Sequence, residues 1–309
     1  MNSEYMTDIP KRAIALGMFD SVHIGHRRIL NSVTEIKGCI PSVFTFSANS
    51  VMRKHGQDYK FIYTDEQKLS IMKKLGISEV FSEDFSEVCL LSGEEFVSGI
   101  LKKRLNAEYI VCGEDYRFGY NASCGISELK MLGEKYSIKV CVTDAVYSGG
   151  EKVSSTLIKK MLTDGRVKEA SQLLGGNYYI SQTVTEGNRI GRTIDFPTIN
   201  QNFCENQLIP AFGVYCSKTT VCGREYASVT NVGVKPTVER DIKPLAETHI
   251  LDFSGDLYGE TAEVSLINFI RGERKFAGID ELKKQISDDI KEAEKPRYQT
   301  SEICRYKMR

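Results

Sequence analysis

The pattern of apolar residues changes at Gly175-Gly176, and this change constrains the fold more than any other feature of the 309-residue chain. Before it, short apolar runs typical of strands alternate with stretches of helical periodicity. The predicted strands are 13–19, 42–46, 79–81, 108–113 and 137–146, and the predicted helices are 26–37, 65–75, 93–105 and 154–174. Strands that alternate with helices form parallel sheets, so we predict a doubly wound α/β domain over residues 1–175.

Beyond Gly176 the chain consists of β-branched and aromatic runs bounded by turn residues. This pattern predicts an antiparallel β-barrel domain over residues 176–309, and a chain of this length also favours two domains over one. The barrel ends with a predicted helix at 280–295, followed by a charged tail. Four apolar residues form one stripe of that helix: Ile279, Leu282, Ile286 and Ile290. We expect the stripe to pack on the barrel.

Charge and hydropathy exclude several classes of partner. The 41 basic and 41 acidic residues cancel, so no global field attracts the chain to nucleic acid or to an anionic membrane. The longest apolar stretches, such as 13–19, are far shorter than the roughly 20 residues of a membrane-spanning helix. We predict a cytoplasmic protein with neither nucleic acid nor a membrane as partner, and we make no prediction of its oligomeric state.

The loop GMFDSVHIGH at 17–26 stands where the first predicted strand gives way to a helix. Free N–H groups and the dipole at a helix N-terminus favour a phosphate, and a glycine lets the backbone approach it. His23 and His26, with Gly25 between them, would stabilise charge on a transferring phosphorus. The alternative interpretation of the pair is two surface histidines or half of a metal site.

The same loop resembles the HxGH signature of the α/β nucleotidyltransferases and, with GxFD before it, the adenylylating domain of bacterial FAD synthetases. Two further segments match that domain in order: VCGEDYRFG at 111–119 and SSTLIKK at 154–160. The resemblance covers residues 10–175 and implies an HxGH-type fold with His23 and His26 as catalytic residues. It also implies a set of nucleotide-binding residues: Gly17, Phe19, Asp20, Gly25, Asp115, Ser155, Thr156 and Lys159.

The chain departs from that family in a few places. Its second predicted strand ends in TFSANS at 45–50, where the family has TFxPHP. Ser21 replaces a glycine, Ile126 an aspartate and Lys159 an arginine, and lysine offers a point charge instead of a bidentate fork. These departures leave open whether the adenylylating activity is weakened.

A second constellation, GNRIGRTIDFPTIN at 187–200, combines glycines, arginines and a Pro-Thr-x-Asn segment. Glycines and an arginine of such a turn would cradle ATP phosphates. Thr198 and Asn200 lie two residues apart on an extended segment, so their oxygens project to one side. Hard oxygen ligands of this kind, beside a phosphate loop, suit Mg²⁺ bound with a nucleotide. A proline-containing turn with Thr and Asn capping the backbone is the alternative.

This segment resembles the RGRxLGFPTAN signature of riboflavin kinases. Four later segments follow in that family's order: NVGVKPT at 231–237, AETHILDF at 246–253, DLYG at 256–259 and RGERKF at 271–276. The resemblance implies a list of roles: Glu247 as catalytic base, Asn231 and Arg271 as flavin-binding, Thr198 and Asn200 as metal ligands, and Gly187, Arg189, Gly191 and Arg192 as nucleotide-binding. Taken without the flanking motifs, Glu247 is a solvated strand residue, and Arg271 is either a surface charge or a group at the mouth of the flavin and nucleotide site.

Together the two resemblances imply an enzyme with two activities. The β-barrel would phosphorylate riboflavin to FMN with ATP and Mg²⁺, and the α/β domain would adenylylate FMN to FAD with ATP. Two alternatives remain open at this point: a riboflavin kinase whose adenylyltransferase domain is weakened or inactive, and a flavin-sensing regulator built on the same folds.

Overall fold

The computed structural model describes residues 9–56, 58–186, 196–234 and 244–306, and for 53–55 and 296–306 it describes the backbone alone. The chain divides into two compact units between Ser155 and Thr156. The predicted boundary between residues 175 and 176 separates the segments to which we assign the two activities, and it stays a prediction.

A parallel five-stranded sheet forms the centre of the first unit, which confirms the predicted α/β class. Its strands are β1 (Arg12–Leu16), β2 (Ile40–Phe46), β3 (Glu79–Glu83), β4 (Ala107–Gly113) and β5 (Lys139–Thr143). Their spatial order is β3-β2-β1-β4-β5, with every pair parallel. The order reverses between β1 and β4. Open parallel sheets bind ligands outside the carboxyl ends of the strands at such a switch point.

Helices connect these strands. They are α1 (Ile24–Thr34), α2 (Ala48–His55), α3 (Asp65–Lys74), α4 (Phe85–Val88), α5 (Gly93–Glu95), which continues as a π-helix over Phe96–Arg104, and α6 (Ile126–Lys135). A hairpin of β6 (Tyr147–Ser148) and β7 (Glu151–Lys152) follows β5. The core packs Ile14 and Ile110 of the sheet against Phe96 and Leu101 of the π-helix, all at most 2% exposed. Sequence periodicity did not predict α2 or α6.

The helix predicted over 154–174 is two helices, so that prediction was wrong about continuity. They are α7 (Ser155–Thr163) and α8 (Val167–Leu174). Gly165 lies between them with a φ of +78°, a left-handed conformation that ends a helix. A Cβ at Gly165 would also lie 3.4 Å from the ring of Phe269, so the turn packs closely on the second unit's sheet.

The second unit is a nearly closed antiparallel barrel with a terminal helix, as predicted. Its strands are β8 (Tyr178–Thr183), β9 (Ile199–Asn202), β10 (Gly213–Val221), β11 (Arg224–Val234), β12 (Pro244–Ile250) and β13 (Thr261–Arg271). Their order is β8-β13-β10-β11-β12-β9, with antiparallel pairing throughout. The edge strands approach each other where the Thr185 N–H donates to the Asn200 carbonyl at 2.8 Å, which brings the sheet close to closure.

The terminal helix, α9 (Ile279–Tyr306), extends well past the predicted end at 295, so that predicted end was wrong and most of the charged tail is helical. Ile290 and Ala293 pack on apolar residues of β10 and β11, which confirms that the helix covers the barrel. The predicted stripe is incomplete at its start, because Ile279 is 62% exposed. Within the described part of the chain, none of the helices combines the length and the apolar character needed to cross a bilayer.

Candidate functional sites

The two histidines of the first loop stack on each other at the N-terminus of α1. Their ring centroids are 3.7 Å apart with the planes 12° from parallel. His23 is the N-cap, and its Nδ1 accepts a hydrogen bond from the His26 N–H at 3.1 Å. Burial lowers the pKa of His23 to about 4. Because the neutral ring accepts at Nδ1, its proton is on Nε2, which leaves that atom as a donor.

His26 lies behind this ring and meets the ring of Phe19 edge to face, with centroids 5.2 Å apart. Burial, and secondarily the neighbouring His23, lowers the pKa of His26 well below its ordinary value. Among the described residues, its Nδ1 is a buried polar atom without a hydrogen-bond partner. A buried polar atom without a partner is costly, so the fold maintains the position of this ring at the expense of a hydrogen bond.

The glycines of the motif have a steric role. A Cβ at Gly25 would lie 3.0 Å from Cε1 of His23, and a Cβ at Gly17 would lie 3.0 Å from the ring of Phe19. Side chains at either position would displace the rings that the loop brings together. Phe19 and Val22 also have positive φ values, 49° and 42°, in a region that non-glycine residues seldom adopt. Strained backbone of this kind concentrates at functional loops.

Asp20 is buried, at 3% exposure, so its side chain does not face solvent. Its carboxylate accepts hydrogen bonds from Tyr59 Oη at 3.2 Å and from the Ile62 N–H at 3.3 Å. Burial, and then Asp20, raises the pKa of Tyr59. The contacts show that Asp20 ties the segment before α3 to the first loop, and its predicted contact with a nucleotide stays a prediction.

Two further motifs reach the same edge of the sheet. Ser155 Oγ is 2.8 Å from Ser21 Oγ, so the SST segment begins beside the histidine loop. Asp115, after β4, pairs with Lys152 at 2.7 Å, and this hydrogen bond raises the pKa of Lys152. Asp115 raises and Lys152 lowers the pKa of His23, and both effects are smaller than that of burial. Thr156 and Lys159 lie on α7 beyond the division between the units, and their roles stay predictions.

The TFSANS segment forms a helix start instead of the family's usual ending. Ser47 caps α2 by accepting from the Ser50 N–H, and Asp65 of α3 accepts from the Ala48 N–H at 3.2 Å. The hydroxyl of Ser50 is buried and donates to the Ser47 carbonyl at 2.9 Å. The segment therefore has a self-consistent local structure of its own.

In the barrel, three predicted site residues lie side by side on neighbouring strands. Glu247 of β12 is the register partner of Asn200 on β9 and of Asn231 on β11. Direct cross-strand partners project from the same face of a sheet, with Cβ atoms about 5 Å apart. The same row continues through Val214 of β10 to Arg271 of β13. Segments separated by up to 71 residues of sequence thus form one polar row.

Arg271 is held in a charged contact of its own. Its Nη2 is 2.8 Å and its Nε 3.1 Å from the carboxylate of Asp289 on α9, which is 2% exposed. Gln285 adds a hydrogen bond to the same carboxylate at 2.8 Å. The guanidinium therefore links the barrel to its covering helix, and its predicted contact with flavin stays a prediction.

The RGERKF segment also reaches the row. A Cβ at Gly233 would overlap the carboxylate of Glu273, so glycine is required there for Glu273 to lie beside Asn231. Glu273 thus borders the polar row. The NVGV and RGERKF motifs, far apart in sequence, meet at this point.

A cavity of about 360 Å³ is lined by Ile199 and Thr248, which alternate with Asn200 and Glu247 along β9 and β12 and therefore project from the other face of the sheet. The Pro-Thr-x-Asn segment lines it with Thr198 and Ile199, and the DLYG segment lines it with Asp256–Tyr258. Two motifs recognised separately in sequence thus share one cavity. The phosphate-loop residues Gly187, Arg189, Gly191 and Arg192 lie outside the described residues.

The oxygen donors of the Pro-Thr-x-Asn segment suit a hard cation. No group of three or more His, Cys, Asp and Glu side chains within the described ranges is arranged to hold a metal. The oxygens of Thr198 and Asn200, with Asn200 buried and Glu247 beside it, match the ligand preference of Mg²⁺, which retains waters and substrate phosphates in its shell. The residues present fit a nucleotide-bound Mg²⁺.

Sequence reasoning missed the residues that hold these side chains in place. Tyr59, Lys152 and Asp289 carry no recognisable motif and lie far along the chain from Asp20, Asp115 and Arg271. A weak signal existed for Lys152, which stands two residues before the SST segment. For Tyr59 and Asp289, only the fold reveals the contact.

Comparison with known proteins finds both families that the sequence resembles. A riboflavin kinase family model matches residues 174–296, and an FAD synthetase family model matches residues 6–157. The bifunctional riboflavin kinase/FMN adenylyltransferase of Listeria monocytogenes is 35% identical, over 94% of this chain and 93% of its own. Those of Bacillus subtilis and Escherichia coli K12 are each 33% identical, over 92% and 89% of this chain and over 92% and 90% of their own.

A crystal structure described as a macrolide-efflux protein from Streptococcus pneumoniae has the same fold. It is 30% identical and superposes with a TM-score of 0.84 over 93% of this chain and 96% of its own. The two family models occupy the two units in the order of the motifs, and the curated relatives match nearly from end to end. The chain therefore belongs to the family of bifunctional riboflavin kinase/FMN adenylyltransferases.

Proposed function

We propose that this chain phosphorylates riboflavin to FMN at the polar row of its barrel and adenylylates FMN to FAD at the histidine loop of its α/β unit. Riboflavin, FMN and ATP are the substrates of the family, and FMN and FAD are its products. The relatives named for both activities match this chain across both units, which favours the bifunctional enzyme over a kinase with an inactive partner domain or a regulator. The observation that carries the proposal is the register of Asn200, Glu247 and Asn231.

In the kinase reaction, Glu247 serves as the general base. Its carboxylate accepts the proton of the terminal ribityl hydroxyl while that oxygen forms a bond to the γ-phosphorus of ATP, and the bond from that phosphorus to ADP breaks. Positioning and charge stabilisation dominate phosphoryl transfer, so the base acts mainly by orienting the hydroxyl. Asn231, the register partner of Glu247, is placed to hold the flavin beside it.

Mg²⁺ is the cofactor we propose for this reaction. Thr198 and Asn200 would hold it, and it would neutralise charge on the phosphates. Thr198 also lines the cavity shared with the DLYG segment, which supports a nucleotide next to this one ligand. The glycines and arginines of 187–192 would contact the phosphates.

In the adenylylation reaction, a phosphate oxygen of FMN attacks the α-phosphorus of ATP and pyrophosphate leaves. Both imidazoles are neutral near pH 7 because burial lowers their pKa values. Before ATP binds, the neutral rings can donate hydrogen bonds without repelling Mg²⁺. When ATP binds, the negative charge of its phosphates favours the protonated form of the rings. We assign His23 Nε2 and the imidazole of His26 to the phosphates.

The functional boundary between residues 175 and 176, a cytoplasmic location and the absence of nucleic-acid and membrane partners all remain predictions of the sequence. We assign the adenylyltransferase to 1–175 and the kinase to 176–309.

Chromatography of the flavins formed from riboflavin and MgATP tests the proposal. The wild type should form FMN and then FAD. Glu247→Gln, nearly isosteric, should slow FMN formation about 100-fold or more while still converting added FMN to FAD. His26→Ala should accumulate FMN and form no FAD. Near-normal kinase turnover in Glu247→Gln would exclude this residue as the base, and FAD synthesis untouched in His26→Ala would exclude that histidine.

A further inference from the structure

His249 takes no part in the reactions assigned above, although it lies on β12 two residues after Glu247 and therefore on the same face. Its Nδ1 is 2.8 Å from the carbonyl oxygen of Pro197. A carbonyl can only accept, so Nδ1–H is the donor. The ring edge also contacts Phe196, with centroids 5.6 Å apart and planes at 83°.

The hydrogen bond from His249 to Pro197 holds a segment that backbone pairing between β9 and β12 does not reach. The ladder between β9 and β12 ends at the pair of Ile199 and Thr248. Pro197 has no N–H, so the ladder cannot continue through its nitrogen. The imidazole of His249 supplies the bond that extends the attachment by two more residues, and Thr198 lies between the last backbone pair and this side-chain bond.

We propose that His249 is a positioning residue for phosphoryl transfer. By donating from Nδ1 to Pro197 it holds the backbone on which Thr198 is carried, and so aims the Thr198 oxygen at the nucleotide-bound metal. The inference rests on the proposed Mg²⁺ site at Thr198 and Asn200. Metal ligands depend on such outer contacts for their orientation, and loss of an outer contact weakens binding without removing a ligand.

Two substitutions separate this role from simple packing. His249→Leu removes the donor and keeps an apolar side chain. His249→Asn keeps a donor, because its amide nitrogen is as many bonds from Cα as Nδ1 is. Lys218→Ala is the matched surface control, since it removes only an exposed ion pair with Glu225 on the same sheet. Adenylylation of added FMN is the internal control for the rest of the enzyme.

The primary measurement is calorimetric binding of MgADP, and of ADP in EDTA, to the full-length proteins. We expect His249→Leu to weaken MgADP binding about 3- to 10-fold, in keeping with one hydrogen bond, and to change binding of metal-free ADP less than about twofold. His249→Asn should stay within about twofold of the wild type. In kinase assays, the KM for MgATP should rise in His249→Leu with a smaller change in kcat. The Tm of His249→Leu should equal that of the control Lys218→Ala.

Three results would overturn the inference. They are wild-type MgADP binding by His249→Leu, an equal loss in His249→Leu and His249→Asn, and an equal loss for MgADP and metal-free ADP. Thr198→Ala and Asn200→Ala locate the failure. If both weaken MgADP binding while His249→Leu does not, only the role of His249 is wrong; if neither weakens it, the metal site itself is misassigned.

Discussion

Acid should destabilise the α/β unit partly through His23, and His23→Asn should reduce that sensitivity, while the contribution of the buried His26 is present in both proteins. Burial lowers the pKa of the folded His23 to about 4, whereas an unfolded histidine titrates near 6.5. As pH falls below 6.5 the unfolded chain takes up a proton that the folded chain refuses until about pH 4. The contribution of the neutral His23 to the free energy of unfolding is therefore fully present above pH 6.5 and is lost as the pH falls from 6.5 to 4.

The magnitude follows from the two pKa values. At about 1.4 kcal/mol for each unit of pKa, the difference approaches about 3 kcal/mol at pH 4 and about 2 kcal/mol at pH 5. His23 is 7% exposed, so little solvent screening reduces this figure. Asparagine is a favoured N-cap, and its side-chain oxygen replaces Nδ1 as acceptor of the His26 N–H, so α1 should remain capped in the variant.

The assay is urea denaturation of both proteins at pH 7.5 and 5.0, followed by circular dichroism because the chain contains no tryptophan. Carboxylates that titrate in this range are common to both proteins and cancel in the comparison. We expect the wild type to lose about 2 kcal/mol more than His23→Asn over this interval. Equal losses in the two proteins would refute the argument that a buried neutral His23 imposes the pH dependence.

Two further predictions concern packing. Asp289→Asn leaves the Arg271 guanidinium without its carboxylate and should destabilise the barrel unit by about 3 kcal/mol, measured as a lower Tm. An unchanged Tm would mean that water replaces the ion pair without loss of stability. Gly25→Ala places a Cβ 3.0 Å from the ring of His23 and should lower FAD formation from FMN about tenfold or more while sparing riboflavin phosphorylation. Full FAD synthesis in Gly25→Ala would show that the stacked geometry of the histidines is not required.

Local sequence patterns were enough to predict the architecture, which the structure confirms, and to propose where the two sites lie. Strand-helix alternation before Gly175 and β runs after it specify the two fold classes, because hydrophobic period follows secondary structure directly. The histidine loop and the Pro-Thr-x-Asn segment are local motifs whose residues are near one another in the chain. Their chemistry was therefore visible without any knowledge of packing.

Periodicity failed where a single residue or a cap determines the local structure. The predicted helix over 154–174 includes Gly165 because the flanking residues keep a helical pattern, although the left-handed φ of Gly165 ends the helix there. Periodicity also gave no sign of a helix after SANS, and the family resemblance marked this segment only as a departure, while the structure shows Ser47 capping α2 and Asp65 supporting it. Caps depend on partners outside the segment, which a local pattern does not contain.

Only the tertiary structure decided how the site residues relate to one another. Strand order and register bring Asn200, Glu247 and Asn231 into one row, and register follows from the pairing of whole strands. The burial of Asp20 against Tyr59, and of Asp289 against Arg271, likewise depends on elements that meet only in the folded chain. Sequence motifs identify which side chains carry the chemistry; long-range packing determines what each one touches, because contacts between distant segments exist only when the sheet and barrel close around them.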